Sequence, residues 1–182
     1  MTIRTAATCL LLGLFSLAAG KGAPQKDLPR IANPEALAIE MAKALVLGDR
    51  ERFTALAATR EEMEELLEKA RPPASPEERR ELKDKVAEIL AGRGGDFAKF
   101  QAMKKAAGFK EGAAVRFELI ELDPIREKDG MKHVRHSRVR MFHATEGGKD
   151  EPFLIRLDDM YLFDRGWAFT SVTPGIGREP SR

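Results

Sequence analysis

"FLIRLDDMYLFDRGWAFTSV", residues 153–172, is the stretch whose reading decides the fold. Phe153, Ile155 and Leu157 alternate with Leu154, Arg156 and Asp158, the turn signal Asp164-Arg165-Gly166 follows, and Trp167 opens another run. A period of two sends successive side chains to opposite faces, so the stretch predicts a β-hairpin with one apolar face. The same period recurs upstream, where Val115, Phe117 and Leu119 alternate with Arg116 and Glu118 and where Val139 and Met141 flank Arg140. "REKDG" at 126–130 and "EGGKD" at 146–150 read as turns between these runs. Four strands joined by three hairpins form an antiparallel meander. Three-residue loops at 147–149 and 164–166 would set Met141 opposite Ile155 and Tyr161 opposite Phe169.

Before residue 113 the period is that of a helix. Asn33-Pro34 is an N-cap followed by proline, and Leu37, Met41 and Leu45 form one stripe that ends at Gly48. Asp49 caps a short helix bearing Phe53 and Leu56. Thr59 and Glu62 make a capping box ahead of Met63, Leu66, Leu67 and Ala70, and Ser75 and Glu78 make another ahead of Leu82, Val86, Ile89 and Leu90. Gly92, Gly94 and Gly95 read as the stop of that helix, and Asp96 starts a last one with Phe97, Phe100 and Met103 inward and Lys99, Lys104 and Lys105 in solvent. Helices first and strands afterwards give an α+β fold: N-terminal helices packed on a four-stranded curved antiparallel meander sheet.

The 182 residues begin with Arg4 and the apolar run "TAATCLLLGLFSLAAG", which ends in small residues before Lys21. Residues 1–20 are therefore expected to be a cleaved secretory signal and the protein to be secreted or periplasmic. The apolar run of about 15 residues is shorter than the roughly 20 that span a bilayer, so no stable membrane anchor is expected after cleavage. Cys9 is the one cysteine and lies inside the apolar run rather than at its end, which argues against lipidation. The mature chain then has no thiol for a disulfide, a nucleophile or zinc. Residues 21–32 read as a flexible leader, 33–175 as one domain and 176–182 as a flexible tail. A net charge of +2 is too balanced for a nucleic-acid partner.

"PEALAIEMAKALVLGDRERFTAL", residues 34–56, is a helix, a Gly-Asp turn and a short second helix. "FLIRLDDMYLFDRGWAFTSVTP", 153–174, is a terminal hairpin in which Gly166-Trp167 begins the last strand. Together they resemble the nuclear transport factor two-like superfamily, also described as the ketosteroid isomerase-like or cystatin-like α+β cone, here as an exported bacterial member. The resemblance implies a sheet that wraps helices around a pocket. It spans isomerases, dehydratases and noncatalytic binding modules, so fold alone does not choose among them.

All three histidines lie in "HVRHSRVRMFH", residues 133–143. As a strand, it puts His133 and His143 on one face and His136 on the other. Ten residues of strand separate the first two by about 33 Å, too far for one metal ion, so no metal and no cofactor is expected. Arg138 and Arg140 are expected on a solvent face opposite acids such as Glu118 or Asp158.

Asp159 interrupts the inward run Phe153, Ile155, Leu157, Tyr161, Phe163, and a carboxylate on an apolar face is costly without a partner. Three readings stay open. A bulge turns Met160 and Leu162 inward and leaves Asp159 in water, an ion pair forms with Arg135, or Asp159 is a pocket carboxylate with Tyr161 as hydrogen-bond donor. No motif assigns a catalytic residue. The function expected first is noncatalytic: binding a small apolar ligand or an envelope protein in a helix–sheet pocket lined by Phe117, Leu119, Met141, Ile155, Tyr161 and Trp167. The alternatives are a proton-transfer enzyme using Asp159 and Tyr161, and a structural domain that forms a homodimer through the outer sheet face.

Overall fold

The computed structural model of the chain describes residues 31–109, 115–144, 150–171 and 175–178. Residues 1–30, with the expected signal sequence and most of the expected leader, and residues 110–114, 145–149, 172–174 and 179–182 lie outside the described residues.

The Asn33 side chain accepts the Ala36 amide at 2.7 Å and starts α1 (Pro34–Leu47), which Gly48 ends at φ 73°. Asp49 caps α2 (Arg50–Leu56), the reciprocal Thr59–Glu62 box caps α3 (Arg60–Ala70), and Ser75 caps α4 (Pro76–Ala106). Contrary to the expected stop, Gly92, Gly94 and Gly95 lie inside α4, and none has a positive φ. Each costs about 1 kcal/mol against alanine in a helix. Packing on both sides outweighs that: Val86 is buried with α3, and Phe97 and Phe100 are buried with α1.

The second half of α4 also finishes α1. The last turn of a helix leaves carbonyls without partners. Gln101 Nε2 donates to the Leu45 carbonyl at 2.6 Å and Lys104 Nζ to the Val46 carbonyl at 2.9 Å. Lys104, expected in solvent, is thus buried at 7% exposure, its cation at the negative end of α1.

The sheet comprises β1 (Val115–Leu122), β2 (Arg126–Lys128), β3 (Met131–Ala144), β4 (Asp150–Phe163), β5 (Gly166–Phe169) and β6 (Gly175–Arg178). The expected four-stranded meander is β1-β3-β4-β5, with β2 added on β3 and β6 on β4. The long β3–β4 pair is thus flanked on each edge by two short strands. Residues 126–128, expected in a turn, pair with β3, because Asp129 and Gly130 at φ 54° and 70° complete a two-residue turn by themselves. Residues 176–178, expected in the tail, form most of β6, with Ile176 opposite Ile155. Ile31, expected in the leader, bridges Trp167.

Two registers also differ from expectation. Met141 stands opposite Phe153 rather than Ile155, a slip of two residues that leaves the inward face unchanged. Tyr161 stands opposite Ala168 rather than Phe169, because the β4–β5 turn has two residues and closes on Phe163 and Gly166. That slip of one exchanges faces, and Phe169 joins Met160 instead. The outer face of β1, β3 and β4 is charged as expected, with Arg140 3.5 Å from Glu118, Arg138 2.8 Å from Glu121 and His136 2.6 Å from Asp158.

Ile155→Ala is expected to cost about 2–5 kcal/mol, whereas Arg138→Ala stays within about 0.5 kcal/mol. Gly92→Ala, in an open helical position, should gain about 0.5–1 kcal/mol. Chemical denaturation of the three variants checks the core face and the continuity of α4 together. A loss for Gly92→Ala would place a glycine turn there.

Candidate ligand cleft

Asp159 sits at φ 50°, in the left-handed region that costs most side chains energy and that Asp and Asn tolerate best. Its carbonyl accepts two hydrogen bonds from Thr170, the amide at 3.1 Å and the hydroxyl at 3.2 Å. The β3–β4 ladder passes from His136↔Asp158 to Val134↔Met160 and skips Arg135 and Asp159, one residue on each strand. Both strands therefore reverse their alternation at the same level. Leu157 and Val139 face α1, but beyond the kink it is Met160 and Val134 that do so. Tyr161, Phe163 and Met131 turn to the opposite face, against Met63, Leu66 and Val86 of α3 and α4.

The kink separates the three histidines. His136 stays on the outer face with Asp158. His143 is buried, its ring 4.4 Å from that of Phe109 and 6.4 Å from that of Phe153, and its Nε2 has no hydrogen-bond partner among the described residues. His133, expected to share a face with His143, lies instead on the α3–α4 side. Its ring is 4.4 Å from that of Tyr161 and its Nε2 is 2.9 Å from Asp159 Oδ1.

Asp159 therefore does what the bulge reading requires of the backbone, with Met160 turned inward. Its carboxylate does not go to Arg135, which is exposed, but to His133. The Asp159 side chain keeps 36% of its exposure while that of His133 keeps 7%. The carboxylate, not the imidazole, is the outward member of the pair.

Beside this pair a cleft of about 240 Å³ opens between the kink and α3–α4. Met63, Leu66 and Ile89 give it an apolar wall, and Lys128, Asp159 and Tyr161 bring polar groups to it. Arg93 and Asp96 reach its edge from the middle of α4. Lys128 Nζ stands 5.9 Å from the centre of the Tyr161 ring. Hydrogen bonding to the Tyr161 oxygen holds the Lys128 ammonium above its usual pKa, so it remains a cation. Burial pushes the Tyr161 phenol above its ordinary value against the opposing pull of Lys128, so it remains a neutral donor.

Of the six residues expected to line a pocket, only Tyr161 lines this cleft. Met141, Ile155 and Trp167 are buried in the core against α1, with Phe117 and Leu119 packed half-buried against them. The residues that sequence reasoning missed are Lys128, read as part of a turn, and Met63, Leu66 and Ile89, read as helix core. Asp159 and Tyr161, paired in the proton-transfer reading, do line one cleft.

No protein-family model matches the chain, and no curated protein is significantly similar to it. Among solved structures it is similar to a Campylobacter jejuni crystal structure provisionally described as an NTF2-like transpeptidase. The two are 18% identical with a TM-score of 0.35, over 77% of this chain and 99% of that one.

If the kink is a backbone requirement, Asp159→Asn should retain the fold, while the β-branched Asp159→Val should cost about 1–3 kcal/mol. Equal stability of the two variants in denaturant would remove the requirement. Tyr161 is the only tyrosine, so ultraviolet titration of the phenolate reads it directly. Its folded pKa is raised, so the associated stability is present below the unfolded value of 10.0 and is lost as pH rises through the folded value. Phenolate should therefore appear above pH 10.0, and Lys128→Met should move it higher still, because the lysine lowers the value. A downward move on removing Lys128 would contradict the contact.

Proposed function

We propose that the chain is an exported, noncatalytic module that holds a small, mainly apolar ligand in the cleft between α3–α4 and the Asp159 kink. The observation that carries this reading is the convergence of Lys128, Asp159 and Tyr161 on a cleft with an apolar wall of Met63, Leu66 and Ile89. Ligand sites combine a concave apolar surface with a few placed polar groups, typically in about 300–1,000 Å³. At about 240 Å³ this cleft takes a small molecule. The apolar run before Lys21 supports export.

Proton transfer is the second reading, favoured by the placement of Asp159 and Tyr161 in one cleft. A carboxylate that removes a proton from carbon gains strength when water is excluded. Asp159 stays more than one-third exposed, and one of its oxygens is held by His133, which fits an acceptor for a ligand's polar group better than a base. A homodimer through the outer sheet face has less support still. Such interfaces are depleted of charge at their centre, and this face carries the Arg138–Glu121 and Arg140–Glu118 pairs.

Small alicyclic and aromatic alcohols and ketones, screened by thermal unfolding of the mature protein, should include compounds that raise the melting temperature. The gain corresponds to about 2.7 kcal/mol at one hundred times Kd. Leu66→Trp, which fills the apolar wall, should abolish the shift, and Asp159→Asn should weaken it. Deuterium exchange at the carbon beside the carbonyl of the same ketones tests the second reading. Exchange that Asp159→Asn abolishes would make the protein an enzyme and overturn the proposal.

A further inference from the structure

Arg93 also borders a second and larger cleft, of about 700 Å³, whose chemistry is different. Four arginines from four separate elements line it: Arg50 at the start of α2, Arg60 at the start of α3, Arg93 in α4 and Arg165 in the β4–β5 turn. Among the described residues, Glu61 is its one acidic lining residue. The positive charges of Arg60 and Arg165 act on Glu61 and, behind its own backbone amide and the Thr59 hydroxyl, help to keep its carboxyl ionised to lower pH than usual. Arg60, Glu61 and Arg165 all line the cleft beside the start of α3.

The glycines of α4 acquire a use here. Gly94 has no conformational need for glycine, and a Cβ built on it would lie 3.2 Å from Arg50 Nη2. The missing side chain lets the Arg50 guanidinium lie against the helix backbone on the cleft wall. Arg93 Nη1 donates to the buried Ala58 carbonyl, which fixes α4 to the chain just before α3. Two helix starts and a tight turn thus hold three arginine stems around a concavity, with Phe53 and Phe97 contributing apolar surface.

We propose that this cleft binds a small organic phosphate, its charged group held by Arg50, Arg60 and Arg165 and its body against Phe53 and Phe97. Guanidinium groups take phosphate oxygens two at a time, and three in one concave site discriminate against single carboxylates by charge and by geometry. The volume suits a ligand of ordinary metabolite size, within the usual range of about 300–1,000 Å³. The starting end of α3 adds aligned backbone dipoles of the same sign.

Inorganic pyrophosphate is the probe, titrated calorimetrically into the mature protein at low and moderate salt. Saturable one-to-one binding that weakens with salt is expected, and Arg60→Gln and Arg165→Gln should each weaken it by about tenfold. Arg60→Lys, which keeps the charge and loses the fork, should lie between Arg60→Gln and the parent. Gly94→Gln, which crowds Arg50, should weaken binding while α4 remains helical by circular dichroism. Arg138→Gln, on the outer sheet face, should change nothing, and neither should Leu66→Trp in the smaller cleft, so this site and the proposed apolar-ligand site succeed or fail separately. The proposal is overturned if no saturable binding occurs up to about 10 mM pyrophosphate. It is equally overturned if Arg138→Gln weakens binding as much as Arg60→Gln, which would mark general attraction to a basic surface.

Discussion

The Asp159 carbonyl accepts both the amide and the hydroxyl of Thr170, and those two bonds hold a left-handed residue in the middle of a fourteen-residue strand. A regular strand would present one face to α1 along its whole length. With the reversal at Asp159 and at Arg135 opposite it, the β3–β4 ribbon offers apolar side chains to α1 on one face and to α3–α4 on the other. Both groups of helices can then be buried by a single sheet. The interruption also leaves a concavity, because α3–α4 meets the sheet where the ladder is broken. Strain of about 1–3 kcal/mol at such a residue persists only where surrounding contacts fix it. Here Thr170, just past the end of β5, and His133 of β3 supply those contacts.

Helix α4 is the complementary element. It runs from the cluster beside Tyr161 to the one beneath α1, and its far end donates Gln101 and Lys104 to the last carbonyls of α1. A break at its glycines would uncouple the two ends. Continuity instead places Arg93 between the two clefts, tied to the Ala58 carbonyl, while Phe169 accepts the Ala58 amide at 2.7 Å. Residue 58 is thus a junction of α4, the start of α3 and β5.

Much of this architecture was legible in local pattern. Asn33, Asp49, Thr59 and Ser75 mark four helix starts because capping is a bond between a side chain and amides two or three residues away. The alternation of Val115–Leu119 and Phe153–Leu157 marks the core face for the same reason. What was not legible depends on bonds that leave no sequence signature. Lys104 meets a carbonyl 58 positions away, and a backbone acceptor looks the same at every residue. Thr170 acts on the Asp159 carbonyl in the same way. The site residue Asp159 was visible as a carboxylate in an apolar run, but its partner was not. A three-residue loop at 147–149 made Arg135 its diagonal neighbour, whereas the kink brings His133 to it. The signal that could have found His133 was polarity of similar kind in neighbouring strands, "DD" in one and "HVRH" in the other.

The glycines of α4 show how a correct local rule can yield a wrong element. "GRGG" argues against helix by propensity, about 1 kcal/mol for each glycine, and the chain forms the helix regardless. At Gly94 the absent side chain leaves room for Arg50 close to the backbone. Gly92 and Gly95 face open space, so nothing in the packing requires them. The asymmetry separates the three: a methyl group is spatially free at two positions and is crowded against a guanidinium at the third. A methyl group at Gly94 would ask the flexible end of Arg50 to shift by a few tenths of an ångström, while Gly92 and Gly95 leave stability unused in a helix that packing alone keeps continuous.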